Sequence, residues 1–192
     1  MAGITEIDGS RITPVCLVDC GCEIGENPLW HPEEQVLYWV DIPNGNLFRY
    51  DPRQQHTDRF YAGAAVGGFT IQDDGRLLLF MAEGAVCMWE NGQVTPLIED
   101  MPEEYGNRFN DVIADPKGRV FCGTMSTETR AGRVYRLEAD RSIVPVIENV
   151  GTSNGMGFSL DRQSFYHTDT PTHTIYRFNY EAATGAITGR SP

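Results

Sequence analysis

Long apolar runs are missing from this sequence. No stretch approaches the roughly 20 consecutive apolar residues of a membrane-spanning helix. The opening "MAGITEIDGS" has neither the basic start nor the apolar core of a secretory signal. Positive charge is also short: 15 Lys and Arg stand against 27 Asp and Glu, a net charge of −12. A surface that acidic repels phosphate backbones, which argues against a nucleic-acid partner, and tolerates or attracts cations. The cysteines (Cys16, Cys20, Cys22, Cys87 and Cys122) are odd in number and irregularly spaced, so a disulfide framework is not expected. Cys20 and Cys22 could hold a soft metal, but no second pair completes a site. These absences predict a cytoplasmic protein with reduced thiols, no membrane contact and no nucleic-acid partner. The G-x-S-x-G elbow of serine hydrolases is absent. His31, His56, His167 and His173 lack zinc-like spacing.

Long helical patterns are missing too, and short β-type runs recur in their place. Val36–Val40, Leu77–Phe80, Val120–Cys122 and Ser164–His167 each follow a turn signal: "HPEEQ", "QDDGR", "DPKGR" and "LDRQ". A second run follows each: "NLFRYDP", "AVCMWENG", "RVYRLEAD" and "TIYRFNYE". Their apolar and polar residues alternate at period two, as in a strand with two different faces. Aligning the turns and counting back by a fixed step reaches Glu26, Gly67, Asn110 and Asn154, at spacings of 41, 43 and 44 residues. A unit of about 43 residues with three or four short strands is the signature of a β-propeller. A β-sandwich also has short strands, but no reason for a period. The fold class expected is all-β, one partial propeller domain over residues 1–192, with repeats starting near 26, 67, 110 and 154.

In a propeller, equivalent positions of successive blades surround one channel. Glu26, Asn110 and Asn154 hold the same place in three repeats, just before the expected inner strand, and Gly67 leaves room. One carboxylate and two amide carbonyls are hard oxygen donors suited to a divalent cation. Asn also starts turns and tolerates left-handed backbone, so periodicity alone leaves both readings open.

Three motifs then carry a resemblance. "GENPLWHPEEQVLYWVDI", "NRFNDVIADPKGRVFCGTM" and "SNGMGFSLDRQSFYHTDT" are similar to the gluconolactonase–regucalcin (senescence marker protein) family, over about residues 14 to 190. The resemblance implies a six-bladed propeller. It also implies one divalent metal (Ca²⁺, Zn²⁺, Mg²⁺ or Mn²⁺) and hydrolysis of sugar lactones such as gluconolactone. By this resemblance Glu26, Asn154 and Asn110 are metal ligands, and Asn110 also lies at the substrate. Arg108 grips substrate oxygens, and Glu128 contacts substrate. The family's general base, an aspartate that is also a metal ligand, is expected at about residue 197, beyond Pro192. No catalytic base is therefore expected within the chain, and about four to four and a half blades are expected where the family has six.

Further expectations follow. "GAITGRSP" reads as the outer strand of the fourth repeat, and "PVCLVDCG" as a strand preceding the first. Open blade edges would favour self-association. Asp41 and Asp169 could face the channel but read rather as strand-end hydrogen-bonding residues, Asn107 as a turn residue, and His31 as structural. "ENGQ" reads as a hairpin turn. Met81, Met88 and the tryptophans read as blade packing. The alternative to a lactonase is a non-catalytic, calcium-binding or interaction propeller.

Overall fold

The alternating runs pair into sheets because each strand has one neighbour close by in sequence and a short turn to reach it. The computed structural model describes residues 13–192. It contains four four-stranded antiparallel sheets, each with its strands in chain order. The first comprises β1 (Gly25–His31), β2 (Val36–Asp41), β3 (Asn46–Asp51) and β4 (His56–Ala62). The second comprises β5 (Val66–Ile71), β6 (Leu77–Met81), β7 (Val86–Glu90) and β8 (Gln93–Ile98). In the third are β9 (Phe109–Ala114), β10 (Val120–Thr124), β11 (Gly132–Leu137) and β12 (Ile143–Val150). The fourth holds β13 (Ser153–Phe158), β14 (Ser164–Asp169), β15 (Thr174–Glu181) and β16 (Ala186–Ser191). These are four blades in a propeller arrangement. Their innermost strands lie side by side, β1 next to β5, β5 next to β9 and β9 next to β13. Among the described residues no helix is long and apolar enough to cross a membrane.

Blades stack through the two faces of their middle strands. All five residues of β6 are buried. Leu77 and Leu79 join Val40, Leu47 and Phe69 between the first and second blades. Leu78 and Phe80 join Phe109, Val120 and Tyr135 between the second and third. Phe121, Val134, Phe165 and Phe178 fill the third seam. Fully burying one such aromatic contributes about 2 kcal/mol. Met81 and Cys87 belong to the first seam, with Trp89 packed on its edge, and Met88 packs on the edge of the second. Trp39 stacks on Phe48 with centroids 5.4 Å apart. Trp30 departs from the packing expectation: it is 45% exposed, because it alternates away from Leu29, which packs on the first seam.

Polar groups join the blades as well. Asn27, third in β1, accepts a 2.8 Å hydrogen bond from the Phe69 amide of the next blade. Asp111, third in β9, accepts one of 2.9 Å from the Met156 amide of the blade after it. Gly67 permits the closest approach: a Cβ there would lie 1.9 Å from the Phe109 carbonyl oxygen. Glycine is therefore needed at this position for strand-to-strand contact, beyond leaving the channel open.

Turn chemistry follows the sequence closely. Asn91 and Gly92 both have positive φ, 49° and 83°, in the two-residue loop joining β7 to β8. The Asp41 carboxylate accepts hydrogen bonds from the amides of Glu23 and Ile24. Asp169 does the same for Gly151 and Thr152, so both cap the entry to an inner strand. His31 is buried and accepts from the Glu34 amide through Nδ1. The "GAITGR" segment is the outermost strand of its blade. Pro14–Gly21 form no strand, contrary to the reading of "PVCLVDCG". An extended segment becomes a strand only when an edge pairs with it, and here no such edge does. All five cysteines are free, with Cys20 and Cys22 sulfurs 3.2 Å apart.

Candidate active site

The repeat positions fall within the inner strands, not before them: Glu26, Gly67, Asn110 and Asn154 are the second residues of β1, β5, β9 and β13. The runs after the turns are the second strands of the blades. The ladder with the second strand loses register at this point in all four blades, between Glu26 and Leu29, Val66 and Gly68, Phe109 and Asp111, and Asn154 and Gly157. A bulge re-aims side chains that a regular ladder would alternate.

Arg108 and Asn110 form a fixed pair. The Arg108 Nη1 donates to the Phe109 carbonyl and to Asn110 Oδ1, both at 2.9 Å. Asn110 Nδ2 donates to the Ser153 carbonyl at 2.9 Å. The amide is thus oriented with its nitrogen on the fourth blade and its oxygen on the guanidinium. Asn154 follows Ser153 directly, and its Oδ1 accepts from the Gly155 amide at 3.0 Å. Burial holds the Arg108 guanidinium below its usual pKa, while the Glu26 carboxylate acts in the opposite sense. Burial pushes the Asp111 carboxyl up, its amide hydrogen bonds oppose this, and Glu26 adds a repulsive contribution. Glu26 therefore acts on both groups, attracting the Arg108 guanidinium and repelling the Asp111 carboxylate. Glu26, Asn110 and Asn154 hold the same second position on inner strands, and Arg108 precedes β9, so these residues belong to one end of the inner strands, the mouth. Glu128 lies exposed on the β10–β11 loop, with no hydrogen-bond partner among the described residues.

The donor chemistry fits a hard cation. Among the described residues no group of three or more His, Cys, Asp or Glu could hold a metal, so an ion at this mouth would rely on amide oxygens. Glu26, Asn110 and Asn154 would supply one carboxylate and two such oxygens. A cavity of about 600 Å³ lies further along the inner strands, lined by Asn27, Trp30, His31, Phe69, Gln72 and Val112 among others. It includes none of the four mouth residues.

Three residues at or near the mouth escaped the sequence reading. Asn27 and Asp111 share a repeat position, a signal the spacing could have shown. Asn107 is more than a turn residue: its side chain bonds Glu104, the Met125 carbonyl and the Arg108 amide. The local bonds to Glu104 and Arg108 are those of a turn, and the sequence offers no cue for the third, because Met125 lies on a separate segment.

Behind Asn154, the His167 Nε2 pairs with Ser153 Oγ at 3.1 Å, and its Nδ1 has no partner among the described residues. Burial pushes the imidazole down to about 4, against a small opposing pull from Asp169. Below pH 6.5 the unfolded chain gains a proton that the folded chain refuses. Stability is therefore full above pH 6.5 and declines by about 3 kcal/mol as pH falls to 4. Urea unfolding at pH 7 and pH 4.5 is expected to show a smaller acid loss for His167→Gln than for the wild type. Equal losses would exclude His167 as the source.

The SMP-30/gluconolactonase/LRE-like region matches residues 24–192. A pentonolactonase of Haloferax volcanii is 47% identical over 181 residues, which cover 93% of this chain and 61% of that protein. Regucalcin of Bos taurus is 31% identical over 189 residues, covering 94% of this chain and 63% of that protein. The chain thus spans about three-fifths of the length of these relatives. Among solved structures, the calcium-binding protein regucalcin from Agrobacterium tumefaciens superposes with a TM-score of 0.79 at 23% identity, over 86% of this chain and 57% of that one. With the propeller fold, the mouth residues and this match over nearly its whole length, the chain belongs to the SMP-30/gluconolactonase/LRE-like family.

Proposed function

We propose that this chain carries part of the active centre of a sugar-lactone hydrolase, acting on an aldonolactone such as gluconolactone or a pentonolactone. The observation that supports this reading is the Arg108–Asn110 pair bonded to the Ser153 carbonyl, with Glu26, Asn110 and Asn154 at equivalent inner-strand positions, in a chain whose relatives include a pentonolactonase. Glu26, Asn110 and Asn154 would hold one divalent ion: Ca²⁺, Zn²⁺, Mg²⁺ or Mn²⁺. Bound there, the ion would supply Lewis-acid chemistry toward the ester carbonyl.

The chain's own residues do the rest of the binding. Arg108 has one nitrogen committed to protein oxygens, which leaves Nε and Nη2 to grip a substrate rich in oxygen. Glu128, on its loop, contacts ring hydroxyls. The proton of the attacking water needs a base. Asp111 is poorly suited, because its two oxygens already accept from the Val112 and Met156 amides. The base in this reading is the family aspartate at the head of a further repeat.

The test is acid release from aldonolactones by the protein purified from its natural source, with its intact mass measured alongside. Turnover is expected to fall at least about 100-fold in Asn154→Ala and to vanish in excess chelator. A full rate in chelator would reject the metal assignment. Absence of turnover on every aldonolactone, with divalent-ion binding retained, would favour a metal-binding propeller without catalysis.

A further inference from the structure

The carboxylate of Glu104 is 1% exposed and plays no part in the mouth itself. It sits at the end of a short 3₁₀ turn, Pro102–Glu104, that leads into the Arg108 segment. A buried carboxylate persists only where its lone pairs are satisfied. Here Oε1 accepts from the Tyr135 hydroxyl at 2.5 Å and from Arg133 Nη1 at 3.3 Å, and Oε2 accepts from Asn107 Nδ2 at 2.7 Å. Burial, reinforced by the carboxylate, pushes the Tyr135 phenol well up, so it stays a donor.

Contacts run from this turn toward the mouth along two branches, one from the Glu104 carboxylate and one from the carbonyls of the turn itself. Asn107 passes one branch on: its Oδ1 accepts from the Arg108 amide, and its Nδ2 also holds the Met125 carbonyl. Met125 opens the loop that bears Glu128, and it bridges to Thr152, just ahead of Asn154. Arg130 forms the second branch from the far side of that loop. Its guanidinium donates to the carbonyls of Pro102, Glu103 and Tyr105. Thr127 and Arg130 close the turn around Glu128 through their backbones.

We infer that Glu104, Asn107 and Arg130 form a polar clamp that positions Arg108 and Glu128 as one unit, making Glu104 a positioning residue for substrate binding. This rests on the lactonase reading for its kinetic consequence, but not for its structural one. The clamp joins the turn at 102–107 to the β10–β11 loop, and Tyr135 and Arg133 anchor it to β11. Loss of the Glu104 carboxylate frees Asn107 and unpins the turn whose carbonyls hold Arg130, and so loosens both substrate contacts together.

Glu104→Gln tests it with almost no change in volume. Either orientation of the new amide sets an NH₂ against a donor, Asn107 Nδ2 on one side or Arg133 Nη1 on the other. The expected result is an increase in KM for aldonolactone of about tenfold or more, with kcat changed by less than about threefold. Amide exchange in residues 105–110 and 125–131 is expected to quicken by about tenfold in the same variant. Arg119→Lys, which weakens a buried pair at a different seam, serves as the control and is expected to leave KM and exchange in both segments unchanged. Unaltered exchange in Glu104→Gln, or equal effects from the control, would overturn the clamp. If the wild type turns over no lactone, the functional reading fails, and the exchange result still decides the clamp.

Discussion

Asp115→Ala is expected to destabilise the fold by about 3–5 kcal/mol, measured as a lower urea midpoint with an unchanged slope. That is a large share of the roughly 5–15 kcal/mol that keeps a domain folded. Asp115 begins the turn between β9 and β10, and its carboxylate does two things at once. Oδ1 accepts from the Lys117 and Arg119 amides, which shapes the turn. Oδ2 accepts from Arg119 Nε at 2.6 Å and from the Tyr180 hydroxyl at 2.8 Å, across the seam to the fourth blade. Arg119 then reaches the Ala182 and Ala183 carbonyls of that blade. Burial alone would raise the Asp115 pKa. The Tyr180, Lys117 and Arg119 hydrogen bonds outweigh it and hold the carboxyl below its usual range. Its contribution is thus present above the ordinary carboxylate pKa and lost as pH falls below it. Alanine leaves the Arg119 guanidinium, 7% exposed, without its counter-charge. Removing that charge too, in Asp115→Ala with Arg119→Met, is expected to recover much of the loss, because the cost lies in the unpaired ion. A single-variant effect below about 1 kcal/mol, or a double variant no better than the single, would refute this account.

Arg108→Ala is expected to lower kcat/KM for aldonolactone by at least about 100-fold, with little change in urea midpoint. The side chain is half-buried and lies at the mouth, outside the seams. Its removal takes away the substrate grip. It also frees Asn110 Oδ1, whose other anchor is only the Nδ2 bond to Ser153. Lysine keeps the charge, but it lacks the planar fork that contacts Asn110 and Phe109 while offering further donors to substrate. Arg108→Lys is therefore expected to recover no more than about tenfold. Steady-state kinetics on the two variants decide the matter: a lysine variant at wild-type rate would mean that charge alone suffices.

Much of this molecule was readable in one dimension because a propeller repeats. Each blade is local in sequence, so turn residues such as Asn91-Gly92 and the period-two alternation of β3 and β15 reveal strands directly. The near-constant spacing then identifies Glu26, Gly67, Asn110 and Asn154 as equivalents, and equivalence in a ring means proximity. The strand register was less legible. The inner strand was expected one strand too late, because the more apolar second strand is buried on both faces while the inner strand carries the polar site residues. What the sequence by itself determined was the repeat, the blade strands and the ring of equivalent positions, all set by local turn and alternation chemistry. Only the tertiary structure decided how the blades are tied. Asp115 meets Tyr180 across 65 residues, Glu104 meets Tyr135 across 31, and Gly67 is glycine because a neighbouring strand's carbonyl occupies the space a side chain would need. Such contacts depend on which faces stack against each other, and residue order along a single blade carries no record of them.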